Sequence, residues 1–196
     1  MKLETQKIKP DSRFMFQDSH LGFTLIELLV VVFITVTIST ISIANFRQGE
    51  KRKQVAIAAD IVTNSLRNAQ NFSLSGKKTN NANPACRTPV NYFVTWTYPG
   101  DNFPLYAFSN CSSNDFVENY FLPANTKIRA NGFSLNGVSG SINLTLVFDP
   151  PFGRMTASMD NAAYVSFTTA SLTIESLDGS VARTVTIDGV AGRIGE

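Results

Sequence analysis

Three groups of residues could do chemistry. Glu27 is the only charge between His20 and Arg47, and it lies near the start of an unbroken apolar run from Phe23 to Phe46. A carboxylate carried into hydrocarbon is disfavoured by roughly 2.5–3.5 kcal/mol and asks for a partner. Cys86 and Cys111 are the only cysteines, both in turn-rich sequence outside the run. In an oxidising compartment they form a disulfide, and closing about 25 residues contributes roughly 3–4 kcal/mol in the chain-entropy model. Two free buried thiols are the competing reading. The third group is cationic, Lys127, Arg129, Arg183 and Arg193 in the C-terminal half. Clustered, they could hold phosphates; dispersed, they are a solvated edge.

Acid–base and nucleophilic catalysis find little support. His20 is the only histidine and sits among the first 22 residues. Residues 23–196 therefore hold neither a histidine base nor a histidine metal ligand. No serine or cysteine nucleophile triad is recognisable. Asp149 and Asp160 could bind calcium or share a proton, but they lack a loop spacing that would bring them together, and solvated turn carboxylates explain them. The expectation is a non-enzyme with no metal and no cofactor.

The elements that position these groups follow from periodicity. Phe23 to Phe46 is 24 residues with one acid, no glycine and no proline, long enough as a helix to cross a hydrocarbon core of about 30 Å. A cleavable secretory signal has a shorter apolar region and a small-residue cleavage site, and none is present. A plain uncleaved anchor stays open on hydropathy alone. Val55, Ala59, Val62, Leu66 and Ala69 then recur at helical spacing, so the helix continues and buries one face. It stops at Ser75-Gly76, where glycine suits a left-handed cap and Lys77 to Asn81 supplies a polar loop. Thr35, Thr37, Ser39, Thr40 and Ser42 are expected to bond back to carbonyls one turn earlier, with bridging to another helix as the competing reading.

Beyond Asn81 the pattern changes to alternation. Strands are predicted over 92–98, 105–109, 116–122, 142–148, 164–168, 172–176 and 183–187. Asp178-Gly179 and Asp188-Gly189 supply reversals. The expected architecture is α+β: an antiparallel β-sheet head packed on the second half of a long N-terminal helix. The segments are 1–22, 23–46 in the membrane, 47–76 as amphipathic helix and 77–196 as head. The chain is 43% hydrophobic and 16% charged, with formal net charge +2, which marks neither a nucleic-acid coat nor a partner for acidic substrates.

The order Gly22-Phe23-Thr24-Leu25-Ile26-Glu27 closely resembles the processing site of type IV prepilins and of type II secretion pseudopilins. The resemblance implies that prepilin peptidase cuts between Gly22 and Phe23 and methylates the new amine of Phe23. It also implies that Glu27 neutralises the N-terminal amine of a neighbouring subunit during assembly. Leu122 to Ile128, Leu146 to Gly153, Thr184 to Ile187 and Gly192-Arg193-Ile194 are similar, more loosely, to the FimT/GspH family of minor pilins and minor pseudopilins. The implied fold is pilin-like, with Ala44 at a position where relatives commonly carry a helix-loosening proline. The implied place is the inner membrane, single-pass with the head in the periplasm, and then a pilus or pseudopilus at or near its tip. The implied partners are prepilin peptidase and other major and minor pilins or pseudopilins.

Within that family some members bind DNA through a C-terminal Gly-Arg-x-Arg pattern. Here Gly192 and Arg193 match, but Gly195 replaces the second arginine. Nucleic acid, contacted through Arg183 and Arg193, is therefore the runner-up partner. A monomeric anchored binding protein, never processed at Gly22, is the third reading. Lys2, Lys7, Lys9 and Arg13 precede the apolar run, and Arg47, Lys51, Arg52 and Lys53 follow it, so charge counting does not orient the span.

Overall fold

In the computed structural model the described residues are 23–111 and 114–195. Gly22, the leader and the expected cleavage site lie outside them. One long helix, α1 (Leu25–Ser75), is followed by ten strands in two antiparallel sheets. The chain divides after Ile43 into two units.

The N-terminal unit is the apolar stretch of α1. Every described residue from Phe23 to Ile43 is exposed, and the helix is long and apolar enough to cross a membrane. A helix that is apolar all round and covered by no described residue of its own chain needs lipid or other apolar surface around it.

The second unit begins at Ala44 and holds the rest of α1 and both sheets. Val55, Ala58, Ala59, Leu66 and Ala69 are 0% exposed. With Val62, 1% exposed, they recur at intervals of three and four and so form one stripe, and alanines at three of the positions let backbone approach closely. The helix ends at Ser75, and Gly76 takes a left-handed φ of 61°, which a glycine adopts without a Cβ penalty.

Sheet A has the order β3-β2-β1-β6-β7 and sheet B the order β10-β9-β8-β4-β5. Their strands are β1 (Pro89–Thr97), β2 (Asn102–Ser109), β3 (Asn114–Phe121), β4 (Thr126–Leu135), β5 (Val138–Gly140), β6 (Asn143–Asp149), β7 (Arg154–Met159), β8 (Thr169–Ser176), β9 (Ala182–Asp188) and β10 (Arg193–Gly195). Sequence reading predicted one sheet; the structure has two. A single hydrophobic cluster joins them to the helix, with Leu66 and Val62 from α1, Tyr92, Trp96 and Leu146 from sheet A, and Leu172, Ile174 and Val185 from sheet B. Inside–outside alternation along β1 from Asn91 onward and along β2 and β8 gives each sheet one buried face.

Four strands were not foreseen: β4, β5, β7 and β10. The expected strand at 164–168 is absent. Val165 makes one isolated bridge to Ala157, after which the chain turns inward to bury Phe167 at 5% exposure.

Candidate functional site

The N-terminal end of α1 carries the acid singled out by the sequence. Thr24 precedes the helix, and its carbonyl accepts from Leu28 N–H at 3.1 Å, as a helix-capping residue does. The Thr24 hydroxyl accepts from Glu27 N–H at 3.3 Å, and Glu27 Oε2 accepts from Thr24 N–H and from Thr24 Oγ1, both at 3.4 Å. This reciprocal arrangement is a Thr-x-x-Glu capping box. The sequence signal for it was present in Thr24 and Glu27, and the reading given to Glu27 as a membrane acid passed over it.

These bonds lie beyond the usual 2.7–3.2 Å range for N–H···O, so the box is loosely closed. Only one carboxylate oxygen takes part; Oε1 accepts from no described residue. The acid thus has a local role and keeps unfilled capacity. Glu27 also gains from the partial positive charge of the helix N-terminus. Phe23 is 78% exposed, and Leu25 and Ile26 beside it are exposed as well.

The remaining polar groups of the apolar stretch are satisfied within the helix. Thr35 donates to Val32 O at 2.9 Å, Thr37 to Ile34 O at 2.8 Å, Ser39 to Thr35 O at 2.7 Å, Thr40 to Val36 O at 2.6 Å and Ser42 to Ile38 O at 3.0 Å. Back-bonding of this kind leaves no donor to attract a partner helix.

No known protein family, no curated protein and no solved structure matches this chain. The reading of the site therefore rests on its residues.

Cys86 and Cys111 form a disulfide with Cα atoms 5.6 Å apart. It ties a 3-10 turn (Pro84–Cys86) ahead of β1 to the end of β2, stapling the base of the β1–β2 hairpin. The same linker is pinned elsewhere. Thr79 Oγ1 and Asn81 Nδ2 donate to Asp115 at 2.8 and 2.7 Å, and the Tyr92 hydroxyl donates to Lys77 O.

The four C-terminal cations do not form one cluster: Lys127 and Arg129 meet at one carboxylate, and Arg193 stands apart from them. Lys127 and Arg129 both approach Glu175, at 3.5 Å each. Arg193 stands opposite Asp188 in the β9–β10 ladder, whereas Arg183 stands opposite Ile174 near the other end of β9. Five residue steps along β9 separate those two rungs, about 17 Å at the usual rise. The Asp188 carboxyl is held below the usual carboxylate range, mainly by the Ala191 N–H and further by Val190 N–H and Arg193. Arg193 thus faces an anion of its own chain, which weakens a shared phosphate grip.

Asp149 and Asp160 are also apart. Asp149 pairs with Arg154 at one end of the β6–β7 ladder, and Asp160 lies past the other end, where its N–H reaches Asn143 O. Asp160 accepts from Ser141, Ile142 and Asn143 N–H at 2.9, 2.7 and 3.1 Å. Those donors, Ser141 first, hold its carboxyl low. Its work is to fix the turn into β6. Among the described residues no group of three or more His, Cys, Asp or Glu could hold a metal ion.

Proposed function

We propose that the chain is a minor subunit of a type IV pilus or of a type II secretion pseudopilus. It is cut by prepilin peptidase between Gly22 and Phe23 and methylated on the Phe23 amine. It is held in the inner membrane as a single-pass protein with its head in the periplasm, and is then drawn into a filament at or near the tip.

The observation that carries this reading is the state of Glu27. Along a helix exposed on every side, from Phe23 to Ile43, it is the one ionisable side chain, and one of its carboxylate oxygens is unengaged by any described residue. In low dielectric such a group is heavily penalised alone and strongly stabilised beside a cation. Cleavage after Gly22 frees such a cation, the α-amine of Phe23, while Oε2 of Glu27 is already taken by Thr24 of its own chain. A neighbour's amine can approach in line from the next subunit. Assembly then supplies what the isolated chain lacks.

Mass spectrometry of the mature protein from cells with and without prepilin peptidase tests the reading. The expected product lacks its first 22 residues and carries one methyl group on Phe23, and it disappears without the peptidase. A mature protein with the leader still attached in peptidase-containing cells overturns the proposal.

A further inference from the structure

One residue past the apolar run, Arg47, Lys51, Arg52 and Lys53 fall within seven helix positions, with Glu50 the only anion among them. Lys51 is committed to the head: its ammonium lies 2.5 Å from Asp178 Oδ2. Arg47, Arg52 and Lys53 make no hydrogen bond or ion pair with a described residue, and all three are exposed. At about 100° per residue they point to three different sides of the helix, and they span about 9 Å along its axis. That is a collar rather than a stripe.

The shape selects the partner. A protein or a nucleic acid lying against a helix meets a stripe along one side. A lipid surface pierced by the helix meets charge on every side within a thin slab. The headgroup layer of a bilayer is roughly 5–8 Å thick per leaflet, the difference between the full bilayer and its hydrocarbon core, and the collar matches it. Charge complementarity then specifies anionic headgroups.

The head adds an apolar element at the same level. A cleft of about 400 Å³ lies between α1 and the β8–β9 turn, lined by Phe46, Arg47, Asn125 and Leu177 among others. Leu177 is 56% exposed and Phe46 76%. The turn bearing Leu177 is rigidly held: Leu177 N–H donates to Asn125 O at 3.0 Å, and Lys127 Nζ donates to Leu177 O at 3.0 Å. Asp178 accepts from Ser176 and Ser180 hydroxyls at 2.7 and 2.8 Å. An exposed leucine on a fixed turn beside an exposed phenylalanine suits the boundary between headgroup and acyl chain.

We infer that Arg47, Arg52 and Lys53, with Phe46 and Leu177 as an apolar wedge, form a docking surface for anionic phospholipid headgroups. The surface sets the depth of α1 and gathers such lipids around it. This rests on the membrane insertion of α1 in the reading above, though not on processing or assembly.

The test uses the full chain in vesicles of phosphatidylcholine and phosphatidylglycerol, with spin-labelled forms of each lipid reporting association with the protein. One cation near an anionic surface favours association roughly five-fold. Divided among the lipids that ring one helix, a preference of about two- to five-fold for phosphatidylglycerol is expected. It should fall toward unity near 1 M salt, where the Debye length is about 3 Å. The variant Arg47→Gln/Arg52→Gln/Lys53→Gln should lose the preference while keeping the motionally restricted lipid signal; Leu177→Ser should weaken it without abolishing it. Restricted lipid with no preference in the natural chain overturns the inference and leaves insertion standing. Absence of restricted lipid sinks the membrane reading and the inference together. Displacement by inorganic phosphate but not by chloride at equal ionic strength would mean a discrete phosphate pocket, and would also overturn a lipid surface.

Discussion

Replacing Glu27 separates its capping role from the proposed assembly role by magnitude. The capping box with Thr24 has bonds of 3.3–3.4 Å, so its contribution belongs at the low end of the capping range, about 0.5 kcal/mol or roughly two-fold in an equilibrium. A buried ion pair stripped of one partner costs about 3–5 kcal/mol, equivalent to between one-hundred-fold and several-thousand-fold. Thr24→Ala removes the cap and leaves the carboxylate. Glu27→Gln keeps an acceptor for the cap and removes the charge. Glu27→Leu removes both and eases insertion by about 3 kcal/mol. The expected order of filament incorporation, normalised to the inner-membrane pool, is natural chain about equal to Thr24→Ala, with both Glu27 variants at least a hundred-fold lower and fully inserted. The assay is the tagged subunit recovered in sheared filament or pseudopilus fractions, with carbonate-resistant membrane protein as the insertion control. Incorporation of Glu27→Leu within about two-fold of the natural chain would refute the reasoning. So would a Thr24→Ala defect as deep as that of Glu27→Leu, since the cap would then be the whole role of the acid.

Trp96 is the only tryptophan and is fully buried, 5.7 Å from Phe103, so its fluorescence reports unfolding of the head. Cys86→Ser/Cys111→Ser should lower the urea midpoint by about 1–3 M, from roughly 3–4 kcal/mol of lost loop constraint and the usual slope; an unchanged midpoint would contradict a structural disulfide. Leu66→Ala, at a site 0% exposed within the cluster shared by both sheets, should cost about 2–5 kcal/mol by the same fluorescence assay. Asp160, Asp178 and Asp188 all have carboxyls held low by hydrogen bonds, with Lys51 the first cause for Asp178. A depressed folded pKa contributes stability that is present above the unfolded value near 3.9 and is lost as pH falls below it. The head should therefore weaken progressively below about pH 4, and Asp160→Asn should flatten that dependence; an acid limb identical in the variant would exclude Asp160 as a contributor. Burial pushes the Tyr92 and Tyr120 hydroxyls up to about 12, so the stability they contribute is present below about pH 10 and should fade between about pH 10 and 12.

The long helix was legible because its two halves have different but unambiguous patterns. An apolar run with one charge gives the first, and a 3-4 repeat of Val55, Ala59, Val62, Leu66 and Ala69 gives the second, closed by Gly76. Strands β1, β2, β8 and β9 were legible because alternation survives along them. Strand β4 was hidden by its own irregularity: the pairing with β8 breaks between Ile128 and Phe133, and Asn131 sits at a φ of 55°. That insertion, with Gly132 next to it, destroys the period of two over the middle of the strand. Strand β7, Arg-Met-Thr-Ala-Ser-Met, has little β-branched or aromatic content to announce it. The split into two sheets was not legible, since alternation says which face of a strand is buried but not which strand lies beside it. The β1–β6 and β4–β8 pairings are long-range choices made by the shared core. Residues 164–168 alternate like a strand, yet Phe167 is needed in the core and draws the chain out of the ladder.

Of the site, Glu27 and the cysteine pair could be found from the sequence because each is scarce: one acid in a run, two thiols in a chain. Arginines are common enough that only the ladder registers show Arg183 and Arg193 at separate rungs. Scarcity also bears on what an apolar helix can specify. Between apolar helices in lipid there is no hydrophobic driving force, and smooth aliphatic faces tolerate sliding. With Thr35, Thr37, Ser39, Thr40 and Ser42 all bonded to their own carbonyls, the stretch from Phe23 to Ile43 offers a neighbour one directional group. A single buried polar contact amid apolar packing fixes register more than it adds stability, as a buried Asn does in a coiled coil. Glu27 would then set the axial step between subunits, while the collar at Arg47, Arg52 and Lys53 sets the depth from which each subunit starts. Moving the acid by one residue, as in Ile26→Glu/Glu27→Ile, keeps charge and hydropathy but rotates the carboxylate by about 100° and shifts it about 1.5 Å. That variant should insert normally and fail to incorporate, whereas a site that needed only a negative charge at that depth would accept it.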